Sequence, residues 1–193
     1  NFCGLVPVAQ RPACAASASK ADATVLGFNQ DAENLAAYAQ ADVGITDTVD
    51  LVVGARWTKD DKTGSFVQGV NNPFGALLRA PENTALALDD DQFTYRVGLN
   101  WAPNDDLLVF GSYSTGYKSG GFNSGGGNVA LGQRRLFDKE TTDNYEAGAK
   151  WTLAGGRAHV NGTLFLMQLD DFQDRGFDGQ SFNVVNAGSV ENK

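Results

Sequence analysis

Along Phe93-Thr94-Tyr95-Arg96-Val97-Gly98-Leu99-Asn100-Trp101 the odd positions are Phe, Tyr, Val, Leu and Trp, and the even positions are Thr, Arg, Gly and Asn. Successive side chains of a strand point to opposite faces, so this segment predicts a β-strand with one greasy, aromatic face and one hydrated face. A helix would scatter the same rings around its circumference. The same period recurs elsewhere. Leu51, Val53, Ala55 and Trp57 alternate with Val52, Gly54, Arg56 and Thr58. Leu107, Val109, Gly111, Tyr113, Thr115 and Tyr117 alternate with Leu108, Phe110, Ser112, Ser114 and Gly116. Tyr145, Ala147, Ala149, Trp151 and Leu153 alternate with Asn144, Glu146, Gly148, Lys150 and Thr152. Weaker runs at Leu35–Val43, Ala158–Leu166 and Ser181–Val185 bring the expectation to about seven strands.

The connections alternate in length. Ile45–Thr48, Pro103–Asp106 and Ala154–Arg157 have the Asp, Asn, Pro and Gly content of tight turns. Lys62–Gln92 and Ser119–Lys139 are expected to be long polar or glycine-rich loops. Short turns at one end and long loops at the other are the habit of an outer-membrane barrel, whose short side is periplasmic. The predicted fold is therefore all-β, a stretch of antiparallel transmembrane β-barrel. Residues 1–30 are expected to form an extracellular loop. The glycines of Ser119–Asn128 are expected to make that loop mobile.

The rings are grouped by height. Trp57, Phe93, Tyr95, Tyr113, Tyr117 and Tyr145 lie toward the long-loop ends of their strands, and Trp101 and Trp151 toward the short turns. Two aromatic girdles facing lipid produce that distribution. From Phe93 to Trp101 is roughly 26 Å along a strand, or about 19 Å after a tilt near 45°. The opposite face carries Arg56, Arg96, Asn100, Glu146, Lys150, His159 and Asn161, which suits a wide hydrated or plugged lumen. The competing expectation is a soluble β-sandwich in which the same rings fill an ordinary core.

Composition narrows the classes further. In 193 residues there are 23 glycines, 5 prolines and a net charge of −8, with no basic cluster to neutralise phosphates, so nucleic-acid binding is not expected. No apolar run is long enough for a transmembrane helix, and the opening residues do not read as a signal peptide. With Asn1 at the start and Lys193 at the end, the sequence reads as an excerpt of something longer. Cys3 and Cys14 fit neither a redox CxxC nor a zinc pair; they either close a small loop as a disulfide or stand as two free thiols. Asp89-Asp90-Asp91 and Asp170, Asp171, Asp174, Asp178 lack the ligand spacing of a calcium loop and are expected to be solvated. Gly116–Gly127 contains no phosphate-binding motif, and Lys118 within it reads as an interfacial or loop cation. His159, the single histidine, has no nucleophile in a recognisable motif, so no catalytic site, metal or cofactor is expected.

Val109–Asn123, with Gly111-Ser112-Tyr113-Ser114-Thr115-Gly116-Tyr117-Lys118-Ser119-Gly120-Gly121-Phe122, resembles a strand-to-loop segment of TonB-dependent receptors. Phe137–Lys150 follows, with its Glu140-Thr141 start and Tyr145-Glu146-Ala147-Gly148-Ala149-Lys150. Val53–Lys62 and Phe182–Gly188 add to the likeness, which extends from Glu33 to Ser189. The resemblance implies an internal stretch of a roughly 22-stranded barrel with a plugged lumen. It also implies outer-membrane lipid and lipopolysaccharide as surroundings, and a TonB complex as a partner acting through a plug that this sequence does not contain. The ligand would be scarce and bulky, a ferric siderophore being the common case. The residues that touch it are not legible. A passive porin is the alternative within membranes.

Overall fold

The computed structural model describes residues 2–17, 24–77, 79–125, 134–177 and 181–193. Six long strands carry the architecture: β1 (Thr24–Thr46), β2 (Val49–Val70), β3 (Glu82–Asn104), β4 (Leu107–Lys118), β7 (Glu140–Leu153) and β8 (Ala158–Asp170). Between and after them lie short strands: β5 (Gly121–Phe122), β6 (Leu136–Phe137), β9 (Gln173–Phe177), β10 (Phe182–Asn186) and β11 (Val190–Asn192). One seven-stranded antiparallel sheet has the order β1-β2-β3-β4-β7-β8-β11, each strand beside its predecessor in the wall. The pairs β5–β6 and β9–β10 form separate two-stranded sheets.

The short turns all lie at one end of the wall. Asp47-Thr48 joins β1 to β2, and the Thr48 amide donates to Thr46 Oγ1 at 3.3 Å. Asp105-Asp106 joins β3 to β4, with the Asp106 amide on Asn104 Oδ1 at 3.0 Å. Between β7 and β8 the chain reverses through Ala154, Gly155 and Gly156 at φ of 55°, 64° and 87°, a left-handed course that glycine takes without a steric penalty. The longer connections, 71–81, 119–139 and 171–189, all lie at the other end.

Alternation governs the whole ladder. Cross-strand pairs Trp57↔Phe93, Ala55↔Tyr95, Val53↔Val97 and Leu51↔Leu99 put the apolar residues of β2 and β3 on one face. Val97↔Tyr113, Tyr113↔Tyr145 and Leu107↔Trp151 continue that face through β4 and β7. The other face carries Arg56, Arg96, Ser112, Glu146, Lys150, Asn161 and His159, with pairs such as Gly54↔Arg96 and Lys150↔Asn161.

Several expectations need correction. Lys62–Gln92 is not a loop: β2 and β3 stay paired as far as Gln68↔Glu82, leaving only 71–81 between them. The cause is an inversion of polarity above Trp57 and Phe93. There the formerly apolar face takes Lys59, Asp61, Asp89 and Asp91, while the formerly polar face takes Phe66, Leu86 and Leu88. The period of two persists with its sign reversed, so the strands run on into water. Thr24–Gln30 likewise belong to β1 and not to the opening loop. Within that opening segment, Arg11–Ala16 form a short helix, α1, and Cys3 is bonded to Cys14 across a Cα–Cα distance of 5.7 Å. Ser181–Val185 does give a strand, β10, but it pairs with β9 in a loop hairpin; β11 supplies the seventh strand of the wall.

Gly148 shows how tightly the polar face is packed. A Cβ there would stand 2.5 Å from the Gly162 carbonyl oxygen and 2.6 Å from the Phe110 ring. Phe110 is the direct partner of Gly148, so its ring fills the space the missing side chain leaves. Gly162, on the aromatic face, has open space around it. Gly148→Val is expected to destabilise the wall by about 1–3 kcal/mol through overpacking, and Gly162→Ala to leave it nearly unchanged. Urea titration of the barrel folded in lipid vesicles measures both.

Candidate functional site: a two-faced wall roofed by its loops

The aromatic face is built by register. Phe93 and Tyr95 lie two apart on β3 with ring centroids 6.3 Å apart; Tyr95 meets Tyr113 at 5.7 Å and Tyr113 meets Tyr145 at 4.8 Å. This makes a continuous band of rings across three strands. Trp101 and Trp151 sit near the short turns, Val160 stands exposed opposite Trp151, and Val97, Leu99 and Leu164 stand exposed between the two levels. Large apolar side chains exposed in a continuous sheet face mark a surface made for an apolar surrounding.

Tyr117 departs from this band. Pairing of β3 with β4 stops at Arg96↔Ser114, whereas β4 continues alongside β7 to Lys118↔Glu140. Above Ser114 the strand leans across the polar face of its neighbours. The Tyr117 hydroxyl donates to the Asp60 carboxylate, which also accepts from Asn34 Nδ2 at 2.8 Å. Asp60 shares its face of β2 with Arg56 and Thr58, so Tyr117 is half-buried on the polar side and is not part of the aromatic girdle.

The connections fold over this same face. Phe66, Leu86 and Phe122 form a buried cluster flanked by Phe28 and Leu88, and Phe122 arrives from β5 in the connection between β4 and β7. Arg135 covers the cluster: it is 3% exposed, with its guanidinium carbon 3.1 Å from the centroid of the Phe66 ring. Its nitrogens clasp both carboxylate oxygens of Glu82, one at 2.8 Å, and Nη1 donates to the Asn123 carbonyl at 3.1 Å. Lys62 Nζ donates to Ser119 Oγ at 2.9 Å and to the Gly120 carbonyl at 2.6 Å. Gly120 and Gly121 lie against Phe137 so closely that a Cβ would stand 2.5 Å from its carbonyl oxygen and 2.7 Å from its ring. In the described part of Ser119–Asn128 these glycines therefore serve close approach, where mobility was expected.

The connection after β8 is knitted into the same roof. Asn123 acts as a substitute strand, its Nδ2 donating to the Val184 carbonyl at 2.9 Å and its Oδ1 accepting from the Val184 amide at 2.8 Å. Asn186 does the same for Asp138, with both bonds near 2.8–2.9 Å. Gln173 reaches the carbonyls of Ser119 and Asp138, and its amide donates to Glu140 at 2.7 Å. Between β5–β6 and β9–β10 is left a cleft of about 490 Å³, lined by Asn123, Arg134, Leu136, Phe177, Val185 and Asn186 among others. Asn123, Val185 and Asn186 lie within stretches that carry the family likeness, but nothing in the sequence brings the six together, because long-range loop pairing has no local period. The disulfide segment packs on another connection: Cys3, Val6 and Cys14 cluster with Phe74, between β2 and β3.

The remaining candidates stay apart. His159 lies across from Thr152 on the exposed polar face, its Nδ1 3.2 Å from the hydroxyl. Asp89 and Asp90 are on β3, bound to Lys59 at 3.2 Å and Lys139 at 3.1 Å. Asp170 accepts from Ser189, Asp174 caps the Arg175 amide, and Asp178 lies outside the described residues. Among the described residues no three acidic, His or Cys side chains converge on a metal-sized space.

A one-layer sheet with rings at two heights on one face, charges on the other and long connections at one end is the wall of an outer-membrane β-barrel. Residues 11–193 match the family of TonB dependent receptor-like, beta-barrel domains, and the chain belongs to that family. It is 23% identical over 141 residues to the probable TonB-dependent siderophore receptor PiuA of Acinetobacter baumannii, covering 72% of this chain and 18% of that protein. Its fold matches the ferric yersiniabactin uptake receptor FyuA from Yersinia pestis with a TM-score of 0.69 and 22% identity, over 87% of this chain and 24% of that one. The siderophore receptor PiuA from Acinetobacter baumannii superposes with a TM-score of 0.61 and 20% identity, over 85% of this chain and 22% of that one. The chain thus spans about a quarter or less of the length of these relatives. In such a barrel the polar face is the interior and the looped end is extracellular.

The clasp between Arg135 and Glu82 makes the roof sensitive to acid. Hydrogen bonding from Arg135, against the opposing effect of burial and with help from Thr84, holds the Glu82 carboxyl below its ordinary value of 4.5. A carboxyl lowered by folding stabilises above its ordinary value, and the stabilisation is lost as pH falls through the folded value. Hydrogen exchange of 119–125 and 134–139 is therefore expected to rise as pH drops below about 4.5, and Glu82→Gln to flatten that dependence. Arg135→Ala is expected to loosen the same segment at neutral pH by about 3 kcal/mol, because it leaves a half-buried carboxylate without its partner.

Proposed function

We propose that this chain is barrel wall and extracellular roof of a receptor that takes up a scarce, bulky ligand such as a ferric siderophore. Energy would come from a TonB complex acting through a plug domain within the lumen. The observation that carries this reading is the direction in which the loops fold. They are packed inward on the polar face by Phe122, Arg135 and Lys62, over the mouth of the lumen, in a family whose relatives here are uptake receptors. A barrel that only passes small solutes has no need of a roof so firmly tied to its wall.

On this reading Trp57, Phe93, Tyr95, Tyr113 and Tyr145 lie at the outer lipid interface, with lipopolysaccharide about them, and Trp101 and Trp151 at the periplasmic one. The polarity inversion at Lys59 and Asp91 marks where the hydrocarbon ends. Val97 sits midway between the girdles. Val97→Arg is expected to cost about 2–4 kcal/mol in folding into vesicles, whereas Ser112→Arg on the interior face costs under about 1 kcal/mol. Equal costs at the two positions would mean that both faces meet the same solvent.

Transport is tested with the full-length receptor in a Gram-negative host lacking its own ferric-siderophore receptors. Growth on a panel of ferric siderophores under iron limitation is expected to be restored and to vanish when TonB is deleted. Growth that persists without TonB would identify a passive channel instead.

A further inference from the structure

The cleft between the β5–β6 and β9–β10 hairpins has the makings of a small-molecule site. Its volume of about 490 Å³ falls within the few hundred to a thousand Å³ usual for such sites. Its apolar lining is left open: Phe177 is 61% exposed although its ring lies 5.2 Å from that of Phe182, and Leu136 and Val185 are also exposed. The amides on its walls are already engaged in holding the loops together, Asn123 with Val184 and Asn186 with Asp138, so the walls are fixed before any ligand arrives.

Arg134 is the cationic side chain of the lining, and it is exposed. It makes no hydrogen bond or ion pair with any described residue, while its neighbour Arg135 is fully occupied beneath the loop. A guanidinium presents a planar fork of donors matched to a carboxylate, and an aromatic ring favours a flat partner stacked or edge-on. Asp138 also lines the cleft but forms no ion pair with Arg134. It leaves the cleft cationic at one end only, which disfavours a ligand charged along its whole length.

We propose that this cleft binds a planar aromatic anion, with the carboxylate or phenolate on Arg134 and the ring between Phe177 and Leu136. The proposal rests on the uptake reading for its purpose: the site would hold the aromatic, acidic end of the transported ligand at the extracellular mouth.

The test uses the full-length receptor in detergent micelles and a matched set of probes: benzoate, its neutral counterpart benzamide, and acetate, which has the charge without the ring. Saturable binding of benzoate by saturation-transfer NMR is expected, with benzamide and acetate each weaker. Arg134→Ala is expected to weaken benzoate about tenfold or more and leave benzamide unchanged, since only the anion forms the charge-assisted pair. Phe177→Ala is expected to weaken both aromatic probes, and Arg134→Lys to restore part of the benzoate affinity. Both side chains are exposed, and unchanged heat-modifiability on a gel verifies that each variant barrel is folded. Absence of saturable benzoate binding in the low-millimolar range, or equal affinity in native protein and Arg134→Ala, overturns the site. The two readings fail separately. TonB-dependent growth without benzoate binding removes the cleft and keeps the uptake function; benzoate binding that responds to Arg134→Ala, in a receptor that supports no TonB-dependent growth, does the reverse.

Discussion

Hydrocarbon offers a backbone no hydrogen-bond partner, so a chain that crosses it must satisfy every amide within its own ladder. Here the ladder joins β1 to β8 at membrane height, with register shifts only toward the short turns, at Gly44/Thr46 and Trp101/Asn104. Once the backbone is committed in this way, side chains have only two directions in which to point. Everything distinctive about the wall follows from which of those directions meets lipid and which meets water. The same commitment explains why one period of two serves a strand of 23 residues such as β3, although barely half of it fits within the apolar band.

Beyond that band the constraint changes its meaning without changing its period. Outside the membrane the outward face meets water, and it carries Lys59, Asp61, Asp89 and Asp91. The inward face is then free to be apolar, and Phe66 and Leu86 use that freedom to hold Phe122 of the incoming loop. Burying an aromatic cluster there brings Arg135 and Glu82 with it, since a guanidinium enclosed among apolar groups is tolerable only with its charge and donors satisfied. Loop placement is thus a consequence of the strand pattern: the extended hairpin of β2 and β3 provides the post on which the connection between β4 and β7 is hung.

Much of the wall was legible from residue order. Strict alternation in Phe93–Trp101 and Tyr145–Leu153 located strands, and the Asp, Asn and Gly turns located the end at which they reverse. What escaped was whatever depends on a partner far along the chain. The stretch Lys62–Gln92 reads as a loop because a greasy outward face is the sequence mark of a membrane strand, and above Trp57 that face is charged. Parity puts Tyr117 on the aromatic face, but parity holds only while a strand stays in the plane of its neighbours; beyond Ser114, β4 does not. Ser181–Val185 has the period of a strand, but period does not distinguish a wall from a hairpin lying over it. For the two cysteines, a spacing of eleven admits a bond without requiring one. No local pattern gathers the cleft residues, which are brought together by Asn123 and Asn186 acting as side-chain imitations of backbone.

Where β4 parts from β3 the wall changes its mode of cohesion. Below Ser114 the two strands are joined by amide and carbonyl; above it β4 and the connection that follows are held to β3 and β2 through side chains, with Thr115 on the Tyr95 amide, Lys139 on Asp90, Tyr117 on Asp60, and Lys62 of β2 on Ser119 and Gly120. Bonds of that kind can be exchanged one at a time with water or with a guest, whereas a strand ladder yields only as a unit. The barrel therefore carries a zip that stops partway: the portion within lipid stays shut, and the flap above can be unfastened stitch by stitch without letting the membrane in.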